Sequence, residues 1–142
     1  MQLTTKGRYA VTAMLDLASY VSAKPVTLDM ISQRQNISLS YLEQLFAKLR
    51  KASLVKSVRG PGGGYLLNVN AVDVTLTQII EAVDENIDLR RCHGSKDCLR
   101  GKQCLSHHLW CEVSDQIRGF LSSRNLQQVI DDYKINQDIQ LH

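Results

Sequence analysis

The chain has 142 residues, 44% apolar and 22% charged, with a formal net charge of +3. That length suits one compact domain with an appendage, and the apolar fraction can fill a core. No uncharged apolar run approaches the ~20 residues of a membrane-spanning helix, which excludes such a helix.

The opening MQLTTKGRYAVTAM has one small basic patch and then an amphipathic pattern, without an apolar leader core or a small-residue cleavage site. A cytoplasmic location is expected, where cysteines serve as ligands or redox groups more often than in disulfides. The charge is unevenly spread. Residues 1–70 carry nine Lys/Arg against three Asp/Glu, and residues 71–142 carry eight against eleven. A basic first half can meet phosphates, although a balance of this size also fits an ordinary solvated surface.

A first helix is predicted to start after Thr4 or Thr5, with Ala10, Met14, Leu17, Ala18 and Val21 on its buried stripe and Pro25 beyond its end. Thr27 can cap a short second helix carrying Leu28, Met30 and Ile31, and Asn36-Ile37-Ser38 is a brief turn. In the third helix Leu42, Leu45, Phe46 and Leu49 recur at i, i+3, i+4, i+7, and Ser40-x-x-Glu43 has the form of a capping box. Two short helices across a tight turn are a helix-turn-helix candidate, a pattern many helical bundles share. Val55–Val58 and Tyr65–Leu67 are strand-like arms around the turn Arg59-Gly60-Pro61-Gly62-Gly63-Gly64. Helix-turn-helix followed by hairpin is the outline of a winged helix. The fold class is therefore expected to be mainly α with a small β-hairpin wing.

Thr75-x-x-Gln78 has capping-box form ahead of Leu76, Ile79, Ile80 and Val83. A long helix is predicted from near Ser106 to about Ser122, striped by Leu109, Val113, Ile117, Phe120 and Leu121. Asn125-x-x-Gln128 opens a last, short helix with Leu126, Val129, Ile130 and Tyr133, and the tail after Asn136 is expected to fray. This gives a winged-helix domain over 1–87, a cysteine loop over 88–105, and a long helix with a C-terminal helix over 106–142.

In helix-turn-helix proteins the first turns of the second helix enter the major groove. Ser38, Ser40 and Tyr41 can bond phosphates or base edges, and Gln44 can pair with adenine. Glu43 can accept from a cytosine amino group and repel wrongly placed phosphates. Ser40 and Glu43 could equally do no more than cap the helix. Lys48, Arg50, Lys51, Lys56 and Arg59 form a basic run leading into the wing, with no acid between them in sequence. Arg59 can enter a minor groove, and Gly60 beside Pro61 permits a close backbone approach.

Cys92, Cys98, Cys104 and His107 are spaced Cys-x5-Cys-x5-Cys-x2-His. Three thiolates and an imidazole make one full ligand set for an iron–sulfur cluster or a zinc ion. The residues alone leave those two metals open. Histidine in place of a thiolate adds a titratable ligand whose protonation competes with metal, which suits a site that can be emptied. His93 and His108 are alternative imidazoles. Cys111 lies one helical turn beyond His107 and could compete for a metal position or simply pack in its helix.

LTTKGRYAVTAMLDLA, ISLSYLEQLFAKLRKASLV, SVRGPGGGYLL and the spaced ligand set, taken together, closely resemble the IscR family of bacterial iron–sulfur cluster regulators. The resemblance runs from residue 1 to about residue 130. It implies a homodimeric winged-helix transcription factor with a [2Fe–2S] cluster on Cys92, Cys98, Cys104 and His107, which favours iron–sulfur over zinc. It further implies double-stranded DNA with near-palindromic operators and cluster donor proteins as partners. The implied activity is repression of the cluster-biogenesis operon when loaded, and regulation of a second class of site when empty. Ser38, Ser40, Tyr41, Arg59, Gly60 and Pro61 match the family's DNA-contacting positions, and Glu43 matches the glutamate that separates the two classes. Cys111 is an extra thiol relative to the family pattern. The stripe from Leu109 to Leu121 is expected to form the dimer seam, the alternative being packing within one core. A zinc-stabilised DNA-binding protein and a cluster-carrying electron-transfer or scaffold protein are the rivals, and the second leaves the helix-turn-helix and wing unexplained. No nucleophile–base pair, phosphate-binding loop or paired carboxylates in a cleft is legible, so enzyme activity is not expected.

Overall fold

The computed structural model describes residues 5–19, 24–85, 102 and 105–141. In chain order the elements are α1 (Thr5–Ser19), α2 (Leu28–Gln35), α3 (Leu39–Lys51), β1 (Val55–Val58), β2 (Gly64–Leu67), α4 (Leu76–Ala82), α5 (His107–Ser122) and α6 (Leu126–Leu141). β1 and β2 pair antiparallel in the register Val55↔Leu67 to Val58↔Gly64, forming the wing.

The helices start where side chains can satisfy free backbone N–H groups. Thr27 accepts from the Met30 N–H at 3.2 Å, and Thr75 and Gln78 form a reciprocal capping box at the start of α4. The turn between α2 and α3 is made by Asn36 at φ 54, a left-handed position asparagine tolerates better than most residues. The cap of α3 departs from expectation. Ser38, not Ser40, holds that position, its hydroxyl accepting from the Tyr41 N–H at 3.2 Å. The helix therefore starts at Leu39, and Ser40 and Glu43 stand inside it with no part in capping.

The predicted stripe of α3 is buried: Leu42, Phe46 and Leu49 have no exposed surface and Leu45 almost none. It packs against Ala10, Ala13 and Met14 of α1, Ile31 of α2 and Ile79 of α4. Side chains of this size contribute roughly 1.5–3 kcal/mol each when fully buried. The same core takes in Leu126 and Ile130 of α6, so the C-terminal helix closes the winged-helix core. α6 also departs from expectation. It continues to Leu141, well past Asn136, and its Tyr133 is 63% exposed instead of packed. Only the first two turns of α6 meet the core, and residues 131–139 are helical but exposed.

Two features tie the helix-turn-helix to its surroundings. Asp16, buried on α1, accepts from Arg34 Nη2 at 2.6 Å, Arg34 Nε at 3.1 Å and Gln35 Nε2 at 2.7 Å, which locks α1 to the end of α2. Val26 forms an isolated bridge with Tyr65, with N···O distances of 2.9 and 2.7 Å, so the chain just ahead of α2 lies along the wing. Gly64 makes that approach possible. A Cβ there would stand 2.5 Å from the Val26 carbonyl oxygen. Among the described residues no helix is long and apolar enough to cross a membrane.

Candidate nucleic-acid interface

The start of α3 presents Ser38, Ser40, Glu43 and Gln44 to solvent. Tyr41 is half-buried, its ring edge-on to Tyr9 of α1 with centroids 5.8 Å apart. That contact holds the Tyr41 ring at the border between α1 and the exposed face. With Ser40 and Glu43 released from capping, these polar groups are available for contacts in a groove.

Beyond them the basic residues continue onto the wing. Arg50, Lys51, Lys56 and Arg59 are exposed, and Arg50 Nη1 lies 3.5 Å from Ser57 Oγ of β1. Gly60 and Pro61 are exposed at the wing tip, with Gly60 at φ 97. Lys48 differs from its neighbours. Its Nζ lies 2.8 Å from Asp84 Oδ2, an acid far away in sequence that follows α4. Contact with this carboxylate raises the Lys48 pKa, and the same contact holds the Asp84 carboxyl below its usual value. Lys6 of α1 stands close enough that the Lys48 ammonium lowers its pKa, with burial adding to the effect. The basic run thus has an acid among it in space that the sequence order did not reveal.

The long helix α5 is only partly covered by the described residues. His107 and Ser114 are its buried residues. Leu109 is 53% and Phe120 57% exposed, while Val113, Ile117 and Leu121 are half-buried. Leu121 packs on the core. The Arg118–Glu81 ion pair at 2.9 Å and the Thr77–Ser122 hydroxyl contact at 2.8 Å fasten one side of α5 to α4.

Of the predicted metal ligands, Cys92, Cys98 and Cys104 lie outside the described residues, as does His93. Among the described residues no cluster of three or more His, Cys, Asp or Glu side chains comes together to hold a metal. His107 is described: it opens α5, is 3% exposed, and its Nε2 lies 3.4 Å from Cys111 Sγ. His108 is exposed, its ring edge-on to His107 at 5.6 Å. Burial singles out His107 from His108 as the imidazole facing the protein. Cys111, half-buried one turn further on, is packed against that imidazole.

Sequence reasoning missed Asp16 and Asp84. Asp16 had a signal, since a carboxylate sits inside the apolar stripe of α1 between Ala13 and Leu17. Asp84 had none, because its partner is on another helix.

A helix-turn-helix with a following hairpin wing, an exposed polar helix start and a basic surface between them define a winged-helix DNA-binding protein. Residues 3–132 match the Rrf2 family, described as an iron-dependent transcriptional regulator, and the chain belongs to that family. It is 55% identical over 135 residues to the HTH-type transcriptional regulator IscR of Photorhabdus laumondii, covering 95% of this chain and 82% of that one. The IscR of Vibrio atlanticus is 53% identical over 146 residues, covering 99% and 84%. Among solved structures it resembles T. potens IscR, with a TM-score of 0.78 at 39% identity over 96% of this chain and 91% of that one. It also resembles CymR, the global cysteine regulator of B. subtilis, with a TM-score of 0.79 at 34% identity over 92% and 97%. These relatives are transcriptional regulators, and the chain is a DNA-binding regulator and not an enzyme.

Proposed function

We propose that this regulator senses iron–sulfur cluster supply. The observation that carries the reading is the conjunction of an exposed reading face on α3 and the wing with the set Cys92, Cys98, Cys104, His107, whose imidazole is buried at the first residue of α5. The donor chemistry fits a [2Fe–2S] cluster: three thiolates and a neutral imidazole suit two ferric ions and two sulfides. A bound cluster supplies a group whose presence depends on iron and sulfide and which oxidants can remove.

The chain's own residues do the rest. Ser38, Ser40, Tyr41 and Gln44 read one half-site, and Glu43 rejects sites that place phosphates or unsuitable base edges against it. Lys48, Arg50, Lys51 and Arg59 bind backbone phosphates or the minor groove, with Gly60 and Pro61 letting the wing approach. Two copies associate through Leu109, Val113, Ile117, Phe120 and Leu121. The exposure of Leu109 and Phe120 supports that reading, Leu121 being shared with the core, and a twofold dimer matches a near-palindromic operator. Cys92, Cys98, Cys104 and His107 would hold the cluster, and ligation through His107 would fix the first residue of the dimer helix and so bias how the winged-helix units over 1–87 are spaced by residues 106–142. The loaded cytoplasmic dimer represses the cluster-biogenesis operon. The empty dimer regulates other promoters, and cluster donor proteins load it.

An anaerobic binding assay on a cluster-biogenesis promoter tests this, comparing loaded and empty protein with iron and sulfide quantified. Tighter binding by the iron- and sulfide-containing form is expected, with Cys92→Ala binding like the empty form. Equal binding by both forms would refute cluster gating at that promoter, and zinc without sulfide would replace the sensor by a structural site. Light scattering at micromolar concentration should give a dimer, and a monomer would remove the α5 seam.

A further inference from the structure

The contact between Lys48 and Asp84 joins the reading helix to the far end of α4. Lys48 follows Gln44 by four residues and Tyr41 by seven, so its stem rises from the same side of α3 as those two residues. Asp84 stands just past α4 at φ 62, its N–H donating to the Glu81 carbonyl at 3.1 Å. Lys6 of α1 lies at the same point. Two ammonium groups from separate helices therefore stand by Asp84, Lys48 in direct contact and Lys6 between the fields of Asp84 and Glu85, at the edge of a surface that meets a polyanion. Among the described residues neither Lys56 nor Arg59 has such an acid, whereas the Lys51 charge also acts on Asp84, more weakly than that of Lys48. Both members of the pair are solvent-exposed, with side-chain exposures of 36% for Lys48 and 72% for Asp84. Exposed pairs of this kind are weak and readily exchanged.

We propose that the Asp84 carboxylate is an internal stand-in for a DNA phosphate: it holds Lys48 in the free protein, and binding DNA requires Lys48 to exchange Asp84 for a backbone phosphate. The lysine ammonium is a compact charge with rotatable donors on a four-carbon stem, suited to that exchange where a planar guanidinium would not be. The exchange also alters the salt dependence. A lysine arriving from water at a phosphate releases a condensed counterion, which sets the slope of affinity against salt. Lys48 arriving from Asp84 leaves a bare carboxylate beside DNA that takes up a cation, so little net release results. Asp84 is thus an affinity-setting residue that need not touch DNA. It stands where the winged-helix core hands over to the stretch carrying the cysteines.

This inference rests on α3 facing DNA, so the test includes residues of that face outside the pair. The full-length protein is titrated with a short random-sequence duplex and with a promoter duplex across a range of salt, by fluorescence anisotropy. Asp84→Asn keeps a residue that accepts the left-handed backbone. It should bind both duplexes about two- to fivefold more tightly near ~0.1 M salt, and with a slope steeper by about 0.9. In a Lys48→Ala background Asp84→Asn should have no such effect, and Lys48→Ala alone should weaken binding. Unchanged affinity and slope in Asp84→Asn would overturn the exchange. So would an equal gain in the Lys48→Ala background, which would mark a general field effect of the acid. Gln44→Ala and Arg59→Ala separate the two levels. If they weaken binding while Asp84→Asn does nothing, the exchange alone is wrong. If they too leave binding unchanged, the reading of the face is wrong and the exchange falls with it.

Discussion

Replacing Asp16 by alanine should destabilise the protein by about 2–3 kcal/mol. The Asp16 side chain is fully buried and accepts three hydrogen bonds, two from Arg34 and one from Gln35, at 2.6, 3.1 and 2.7 Å. Breaking a buried pair by removing one partner costs roughly 3–5 kcal/mol when the other charge is stranded. Here the Arg34 side chain keeps 26% of its surface exposed, so its guanidinium can recover water. That recovery lowers the expected cost to the figure above. With a urea m-value of about 1.5–2 kcal/mol/M, the midpoint should fall by about 1–2 M. The measurement is equilibrium urea unfolding at one fixed protein concentration, because association would otherwise shift the midpoint. Arg34→Ala and the double variant complete a thermodynamic cycle, with a coupling of about 1–2 kcal/mol expected for groups in direct contact. A loss below about 0.5 kcal/mol, the range of ordinary surface substitutions, would refute the claim that this carboxylate locks α1 to α2. So would zero coupling with Arg34.

Ser38→Ala should lose about 1 kcal/mol of stability with the cap of α3, whereas Ser40→Ala should stay within about 0.5 kcal/mol and weaken promoter binding instead. Thermal unfolding together with an anisotropy titration separates the two. Gly64→Ala should cost at least about 2 kcal/mol, because its Cβ meets the Val26 carbonyl oxygen at 2.5 Å and the backbone there has φ +156; a wild-type melting curve would disprove the close approach of Val26 to the wing. Arg59→Ala should weaken binding and reduce the salt slope by about 1. An unchanged slope would place Arg59 away from the phosphates.

Much of the fold was legible because it depends on spacing that a linear chain displays. Leu42, Leu45, Phe46 and Leu49 had to share one face of any helix, and that face is the most deeply buried part of α3. Thr75 and Gln78 form the predicted capping box because both partners lie within one turn. The arms around Arg59–Gly64 pair as expected, since the glycines there permit a tight turn between apolar runs. Errors arose where two local solutions competed. Ser38 and Ser40 can each cap α3, and the left-handed turn at Asn36 decides for Ser38. Helix α6 has no breaker before Leu141, so it continues although residues 131–139 are exposed.

The order of helices and hairpin, the buried stripe of α3, the basic character of the first half and the presence of a complete soft-ligand set could all be read from the linear chain. Each depends on residue type and short-range spacing, which a chain carries before it folds. Which residues meet across elements emerged only on folding: Asp16 with Arg34, Val26 with Tyr65, Lys48 with Asp84, and Leu126 with the winged-helix core. Folding also decided that Leu109 and Phe120 of α5 stay exposed while Leu121 packs on the core. Such contacts lie between segments distant along the chain, and their energies exist only once packing has brought those segments together.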